Sequence, residues 1–277
     1  MPEGHGCPAM HQVRDDAKRK VSGSADSDEY EDNQTWARVM PRRNQKRKIV
    51  RSHRKRFSST EIRDLTIASI LVALVAISNM GNMGGSFGFG IISALQNFAS
   101  LIMSSFWWVP IGMIVIFLLS FMGHELAHKF TAQHYGMWSE FRMNSMGYYL
   151  SAIAIIFSIP IFGTGTMYTS GTTNREHDAK TNLAGPLSNF VFASGLVLIA
   201  IVATLSMSGT ALGFLIFLVQ YGIIINAVLG LFNMIPIQPF DGATVKNWSV
   251  PVWIALTIAL VAMLIIGYLV LPILLLS

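Results

Sequence analysis

The sequence His-Glu-Leu-Ala-His at residues 124–128 most constrains the fold of this chain, because it places ionisable side chains at the end of an apolar run. Residues 107–121, just before it, are almost wholly apolar. Ionisable groups at membrane depth are costly and usually mark a functional site. Histidines four residues apart on a helix differ by roughly 40° around its axis, so both can bind one metal ion. The alternative, two structural histidines at a helix end, leaves the costly carboxylate of Glu125 unexplained.

The composition is typical of a membrane protein. Of the 277 residues, 52% are hydrophobic and only 13% are charged. Residues 1–64 contain 15 of the 20 Lys and Arg residues. The basic block at residues 42–56 directly precedes the first apolar span, which predicts a cytoplasmic N-terminus in contact with anionic lipid. No stacking aromatic residues and no folded module support nucleic-acid binding by this block, so we expect that the tail does not bind nucleic acid.

Two domains are predicted: a disordered, basic cytoplasmic tail at residues 1–57 and a transmembrane domain at residues 58–277. The single cysteine, Cys7, lies in the tail, which excludes disulfides and thiolate metal sites within the chain. The N-terminus has no short apolar core followed by a small-residue cleavage site, so we expect no secretory signal peptide.

The predicted fold class is an all-α polytopic membrane protein with five to six transmembrane helices, a re-entrant segment and a short β element. The predicted spans are residues 65–78, 107–135, 182–207, 212–232 and 251–275. Residues 86–104 are apolar with small and amide residues, which is consistent with an interfacial or re-entrant position.

Residues 148–162 form an apolar run that is short for a membrane crossing, so we predict that it re-enters. If it does not cross, Asp241 returns to the cytoplasmic face at the depth of His124 and His128. The Thr- and Gly-rich residues 165–171 predict a short strand, which either pairs with an extended substrate or caps the bundle.

A His-Glu-x-x-His site needs a third protein ligand. His134 has the ligand spacing of the metzincin pattern, six residues after His128. On an unbroken helix, however, it lies roughly 240° around the axis from His128 and faces away. Asp241 is the better candidate, because Pro236 and Pro239 end the preceding helix. Such broken backbone at membrane depth is tolerated only where it lines protein or a wet cavity.

Three motifs lie along the chain: the histidine pair, Ala184-Gly185-Pro186 at the start of a later span, and the segment from Asn233 to Gly242. Together they resemble the site-2 protease family of intramembrane zinc metalloproteases. The resemblance covers roughly residues 60–277 and is closest to archaeal members without PDZ or CBS domains. It implies one zinc ion bound by His124, His128 and Asp241, with Glu125 as the catalytic base. Met234 departs from the fullest motif, which has proline there.

Two asparagines face the predicted cavity. In this family, positions like Asn189 and Asn233 would hold an extended substrate by its backbone; the alternative is hydrogen bonding between helices.

The expected activity is cleavage of transmembrane segments of membrane proteins near the cytoplasmic face of the cell membrane. The alternative function is a membrane metal transporter or metal-binding protein that uses the same histidines and aspartate. A transporter would use Glu125 as a ligand or not at all, and would be expected to have related halves.

Overall fold

The structure is a computed structural model, and it describes residues 57–80, 91–159, 165–171 and 174–271. The predicted disordered tail, except Phe57, lies outside the described residues, as does the first part of the predicted interfacial segment at 86–104.

The described chain is mostly helical, with one two-stranded sheet. The elements are α1 Ser59–Asn79, α2 Ile91–Ile102, α3 Trp108–His134, β1 Trp138–Met143, α4 Ser145–Phe157, β2 Gly165–Ser170, α5 Arg175–Ser206, α6 Gly209–Asn233, α7 Asp241–Trp248 and α8 Val250–Ile265, which continues as a π-helix over Ile266–Val270. The predicted fold class is confirmed.

Four helices in the described part of the chain are long and apolar enough to cross a membrane. They are α3, α5, α6 and the segment Val250–Leu269. Helix α1 has 21 residues, but its first turns carry the charged residues Glu61, Arg63 and Asp64 before the apolar run begins. At about 1.5 Å per residue, its full length is close to the thickness of the hydrocarbon core.

The strand pairing brings the chain back beside β1 after α4. Strands β1 and β2 are antiparallel, and their register pairs Met143 with Gly165. Helix α4 starts just after β1, and the chain is back beside the end of β1 when β2 begins. The segment between the two strands therefore begins and ends beside the same end of the hairpin. This agrees with the prediction that the short apolar run at 148–162 does not cross the membrane. The β2 prediction is confirmed, whereas β1 was not predicted.

The elements that flank the two histidines lie together at one end of the bundle. The ring of Tyr135, at the end of α3, stacks on the ring of His177 in the first turn of α5 with centroids 4.1 Å apart. Helix α5 packs against both α3 and α6. The C-terminal end of α3 and the N-terminal end of α5 therefore lie on the same side of the bundle.

Candidate metal centre

His124 and His128 are both buried on α3, and their Nε2 atoms lie 3.0 Å apart. The Nδ1 atom of His128 is 2.7 Å from the carbonyl oxygen of Thr181, which can only accept, so this nitrogen carries the proton. The Nδ1 atom of His124 donates in the same way to the side-chain oxygen of Asn189, also at 2.7 Å. In the neutral form of each imidazole the lone pair is then on Nε2, and the two Nε2 atoms lie side by side, as they do in metal-binding histidines.

Asp241 completes this cluster from the first residue of α7. Its Oδ2 atom lies 3.5 Å from the Nε2 atom of His124 and 3.2 Å from that of His128. Helix α6 ends at Asn233, and the proline-containing segment that follows turns the chain back toward α3. The structure thus brings together the three residues expected to bind metal.

Gly242 and Trp253 hold this segment in place. A Cβ atom at Gly242 would lie 2.2 Å from the carbonyl oxygen of Met234, so only glycine allows the turn to close this tightly. The indole nitrogen of Trp253 donates a hydrogen bond of 2.8 Å to the same carbonyl. Close packing against the Met234 carbonyl therefore requires glycine at position 242.

The three side chains fit a zinc ion. Ligand atoms about 2.0–2.1 Å from a tetrahedral zinc ion lie roughly 3.3 Å from one another. The separations here are 3.0, 3.2 and 3.5 Å. The Oδ2 atom of Asp241 is buried without a hydrogen-bond partner, and such an atom calls for a proton or a cation. A carboxylate binds metal in its ionised form, and this buried oxygen beside two imidazole nitrogens offers the donor chemistry that a zinc ion requires.

A cavity of about 310 Å³ opens onto the cluster. Glu125 lies on its wall beside the two histidines, and among the described residues it is not part of the ligand group. The other lining residues come from α3, α4 and the residue before it, β2, α5, the end of α6 and the segment that leads into α7. They are His124, His128, Asn144, Met146, Leu150, Gly165, Thr166, Met167, Thr169, Thr181, Asn182, Phe232, Asn233, Pro239, Phe240 and Asp241. The cavity therefore connects the candidate base, the ligands and the strand β2.

Gly185 lets α5 approach the imidazoles directly. A Cβ atom at this position would lie 2.3 Å from Nε2 of His128 and 2.7 Å from Cε1 of His124. The contact is so close that any larger residue would displace the rings. The sequence identified Gly185 only as part of a motif, and the structure shows its steric role.

Asn189 is fully buried and belongs to a network between three helices. Its oxygen accepts from His124, and its nitrogen donates to Asn226 at 2.9 Å and to the carbonyl of Ser120 at 3.3 Å. Asn226 in turn donates to the hydroxyl of Ser120. Both ends of the Asn189 amide are occupied within the protein, and Asn189 does not line the cavity. The geometry therefore favours the hydrogen-bonding alternative over the predicted contact with substrate.

The remaining two candidate residues, Asn233 and His134, lie in different places. Asn233 lines the cavity, and its side-chain nitrogen donates to the carbonyl of Leu229. Its contact with substrate stays a prediction. His134 is exposed at the end of α3 and lies outside the ligand group of the described residues, with its ring against Tyr135. Its position agrees with the rotation expected on an unbroken helix.

Sequence reasoning missed Thr181, Ser120 and Asn226. Thr181 acts through its backbone carbonyl, so no side-chain signal could identify it. Asn226 is one of two amides, with Gln220, inside the long apolar run of α6, and a polar residue within a membrane helix is a recognisable sign of an interhelical contact.

Comparison with known proteins identifies two relatives, both from Methanocaldococcus jannaschii (strain ATCC 43067 / DSM 2661 / JAL-1 / JCM 10045 / NBRC 100440). The chain is 33% identical over 216 residues to "Putative zinc metalloprotease MJ0611", a match that covers 77% of this chain and 94% of that relative. It is 27% identical over 149 residues to "Zinc metalloprotease MJ0392", which covers 53% of this chain and 36% of that relative. No protein-family model matches the chain, and no solved structure matches it. Because the similarity to the first relative extends over nearly its whole length, the chain belongs to the site-2 protease-like family of zinc metalloproteases, here with archaeal relatives.

Proposed function

We propose that this chain is an intramembrane zinc endopeptidase that cleaves transmembrane segments of membrane proteins near the cytoplasmic face of the cell membrane. The observation that carries the proposal is the convergence of His124, His128 and Asp241 on one point between apolar helices, with Glu125 on the wall of the adjoining cavity. The zinc metalloproteases to which the chain is similar support the same reaction class.

Each residue has a role in this proposal. The two imidazoles and the carboxylate of Asp241 would hold one zinc ion, which when bound supplies a Lewis acid that lowers the pKa of water and polarises the scissile carbonyl. Glu125 removes the proton from the attacking water and then delivers it to the leaving amine. Asn189 and Thr181 hold the imidazoles in the tautomer that leaves Nε2 free.

Strand β2 supports binding of an unwound substrate. A helical segment must unwind before cleavage, because its carbonyls are otherwise hydrogen-bonded. Met167 and Thr169 line the cavity on β2, and the added-strand mode of peptide binding uses such a strand edge. We propose that the substrate lies in extended form along β2 and that Asn233, which also lines the cavity, contacts its backbone.

The transport alternative is less well supported. A transit site would use Glu125 as a ligand or not at all. In the described residues Glu125 is outside the group of His124, His128 and Asp241, but it lines the cavity beside them. A carboxylate that is beside the ligands but separate from them is what general-base catalysis requires.

The proposal is tested with the full chain in proteoliposomes that contain a model transmembrane substrate and zinc. We expect cleavage by the native protein and almost none by Glu125→Gln, with equal zinc content in the two proteins. Native-like cleavage by Glu125→Gln would overturn the mechanism. Zinc flux across the liposome membrane without cleavage would support the transport alternative.

A further inference from the structure

A buried ion pair lies just beyond the candidate metal centre. Lys129, the residue after His128, donates to both carboxylate oxygens of Glu61 at 2.6 and 2.7 Å. Both side chains are about 1% exposed. Lys129 also lies 4.6 Å from the centre of the Phe57 ring. Removing two charges from water costs free energy that the attraction between them often fails to recover, so the pair calls for a reason beyond stability.

The same two residues also bind the backbone of β1. Lys129 donates to the carbonyl of Ser139 at 3.1 Å, and Glu61 accepts from the amide of Phe141 at 3.1 Å. One turn further along α1, Asp64 accepts from the amide of Met143 at 3.3 Å. Helix α1 therefore supplies side-chain acceptors to alternate amides of β1, where a neighbouring strand would supply carbonyls.

These contacts determine which edge of the hairpin stays open. Successive amides of a strand point to opposite edges, so the amides of Phe141 and Met143 point away from β2. In the register of the hairpin these two residues face Met167 and Gly165. The backbone groups of Met167 and Thr169 accordingly point to the outer edge of β2, and both residues line the cavity. The outer edge of β1 is occupied by carboxylates, whereas that of β2 faces the candidate metal centre.

We propose that Glu61, Lys129 and Asp64 are positioning residues that hold the hairpin at a set register and height relative to His128. This inference rests on the proposed function. Lys129 follows His128 directly in the chain, and its side chain binds the β1 backbone. Strand β1 is in turn paired with β2. Because strand pairing advances in steps of two residues, a loosened hairpin would present a different peptide bond to Glu125. The pair thus determines where a substrate is cleaved, as well as how tightly it binds.

The test uses the double variant Glu61→Leu/Lys129→Met in the full-length, zinc-loaded protein. Apolar residues of similar volume usually replace a buried ion pair with little loss of stability, but they cannot bind the β1 backbone. Hydrogen exchange should become faster at the amides of residues 138–143 and stay native-like in α3 and α5. The KM for a model transmembrane substrate should rise by roughly tenfold or more, as expected when hydrogen bonds to charged groups are lost. Mass spectrometry of the products should show additional cleavage positions.

Two further variants separate positioning from folding. Asp64→Ala removes the acceptor for Met143 together with the partner of the exposed Arg63. It should produce a smaller change of the same kind, even if the double variant fails to fold. Glu176→Gln breaks the exposed pair with Lys180 and should leave exchange, KM and cleavage positions unchanged. Native exchange and native cleavage positions in Asp64→Ala and the double variant would overturn the inference. Absence of cleavage by the native protein would instead refute the proposed function, and the exchange of β1 would still decide whether the carboxylates hold this strand.

Discussion

The Nε2 atom of His128 lies 3.2 Å from the Oδ2 atom of Asp241, although the two residues are separated by five described helices and strands. Neither atom can donate a proton to the other when His128 is neutral, with its proton on Nδ1, and Asp241 is ionised. Two acceptors this close repel each other unless a cation lies between them. This relationship is the strongest structural sign of a metal centre in the described chain.

Asp241→Ala should remove most of the bound zinc. The variant leaves two imidazoles, and catalytic zinc sites need three protein ligands. Metal analysis after dialysis against a weak chelator measures the effect. His134→Ala is the matched control and should keep native zinc content, because His134 is exposed and outside the ligand group of the described residues. Loss of zinc in His134→Ala would move the third ligand from Asp241 to His134.

Gly185→Ala should abolish zinc binding and cleavage although it adds only one methyl group. The new Cβ atom would lie 2.3 Å from Nε2 of His128, so α5 or the ring must shift. Gly195→Ala in the same helix is the control, since a Cβ atom there contacts nothing within 4 Å. It should keep its zinc and be stabilised by up to about 1 kcal/mol through higher helix propensity. Equal zinc content in both variants would contradict the steric role of Gly185.

Asn189→Leu should weaken zinc binding by roughly 10- to 100-fold, the usual effect of losing the hydrogen bond that orients a metal-binding histidine. Its oxygen accepts the Nδ1 proton of His124 at 2.7 Å. Competition with a chelator of known affinity measures the change. Ser194→Ala on the same helix should have no effect, because the hydroxyl of Ser194 donates to the backbone of its own helix. If Asn189→Leu raises KM and leaves zinc affinity unchanged, Asn189 contacts substrate after all.

Cysteine labelling can test the orientation of the bundle. In a variant without Cys7, a cysteine at Arg175 should resist an impermeant thiol reagent added outside intact cells and react once the cytoplasmic side is opened. A cysteine at Ser208, between α5 and α6, should show the reverse. The expectation follows from the positive-inside rule and from the position of both ends of the hairpin segment on one side of the bundle. Labelling of Arg175→Cys from outside would place the metal centre near the other face.

Several features could be predicted from the sequence because they depend on local pattern. Long apolar runs predict α3 and α6 within about three residues at each end, and they predict the start of α8. Helix α5 begins at Arg175, before the apolar run at 182–207, because its first turns are polar. The prolines after Asn233 predict the end of α6, and the spacing of His124 and His128 predicts a shared helix face. Strand β1 could not be predicted in this way, because Glu140 and Arg142 make it resemble a polar loop; its hydrogen bonds to α1 come from residues distant in sequence.

The sequence by itself determined the class of the protein, the histidine pair and the candidate base, since helix periodicity and hydrophobicity act over a few neighbouring residues. Only the tertiary structure decided that Asp241 meets the histidines, that Asn189 orients His124, and that Gly185 allows the close contact of α5. It also decided that Glu61 and Lys129 bind β1. The physical reason is that these contacts depend on helix packing at distances of a few ångströms, which no spacing along one chain segment specifies.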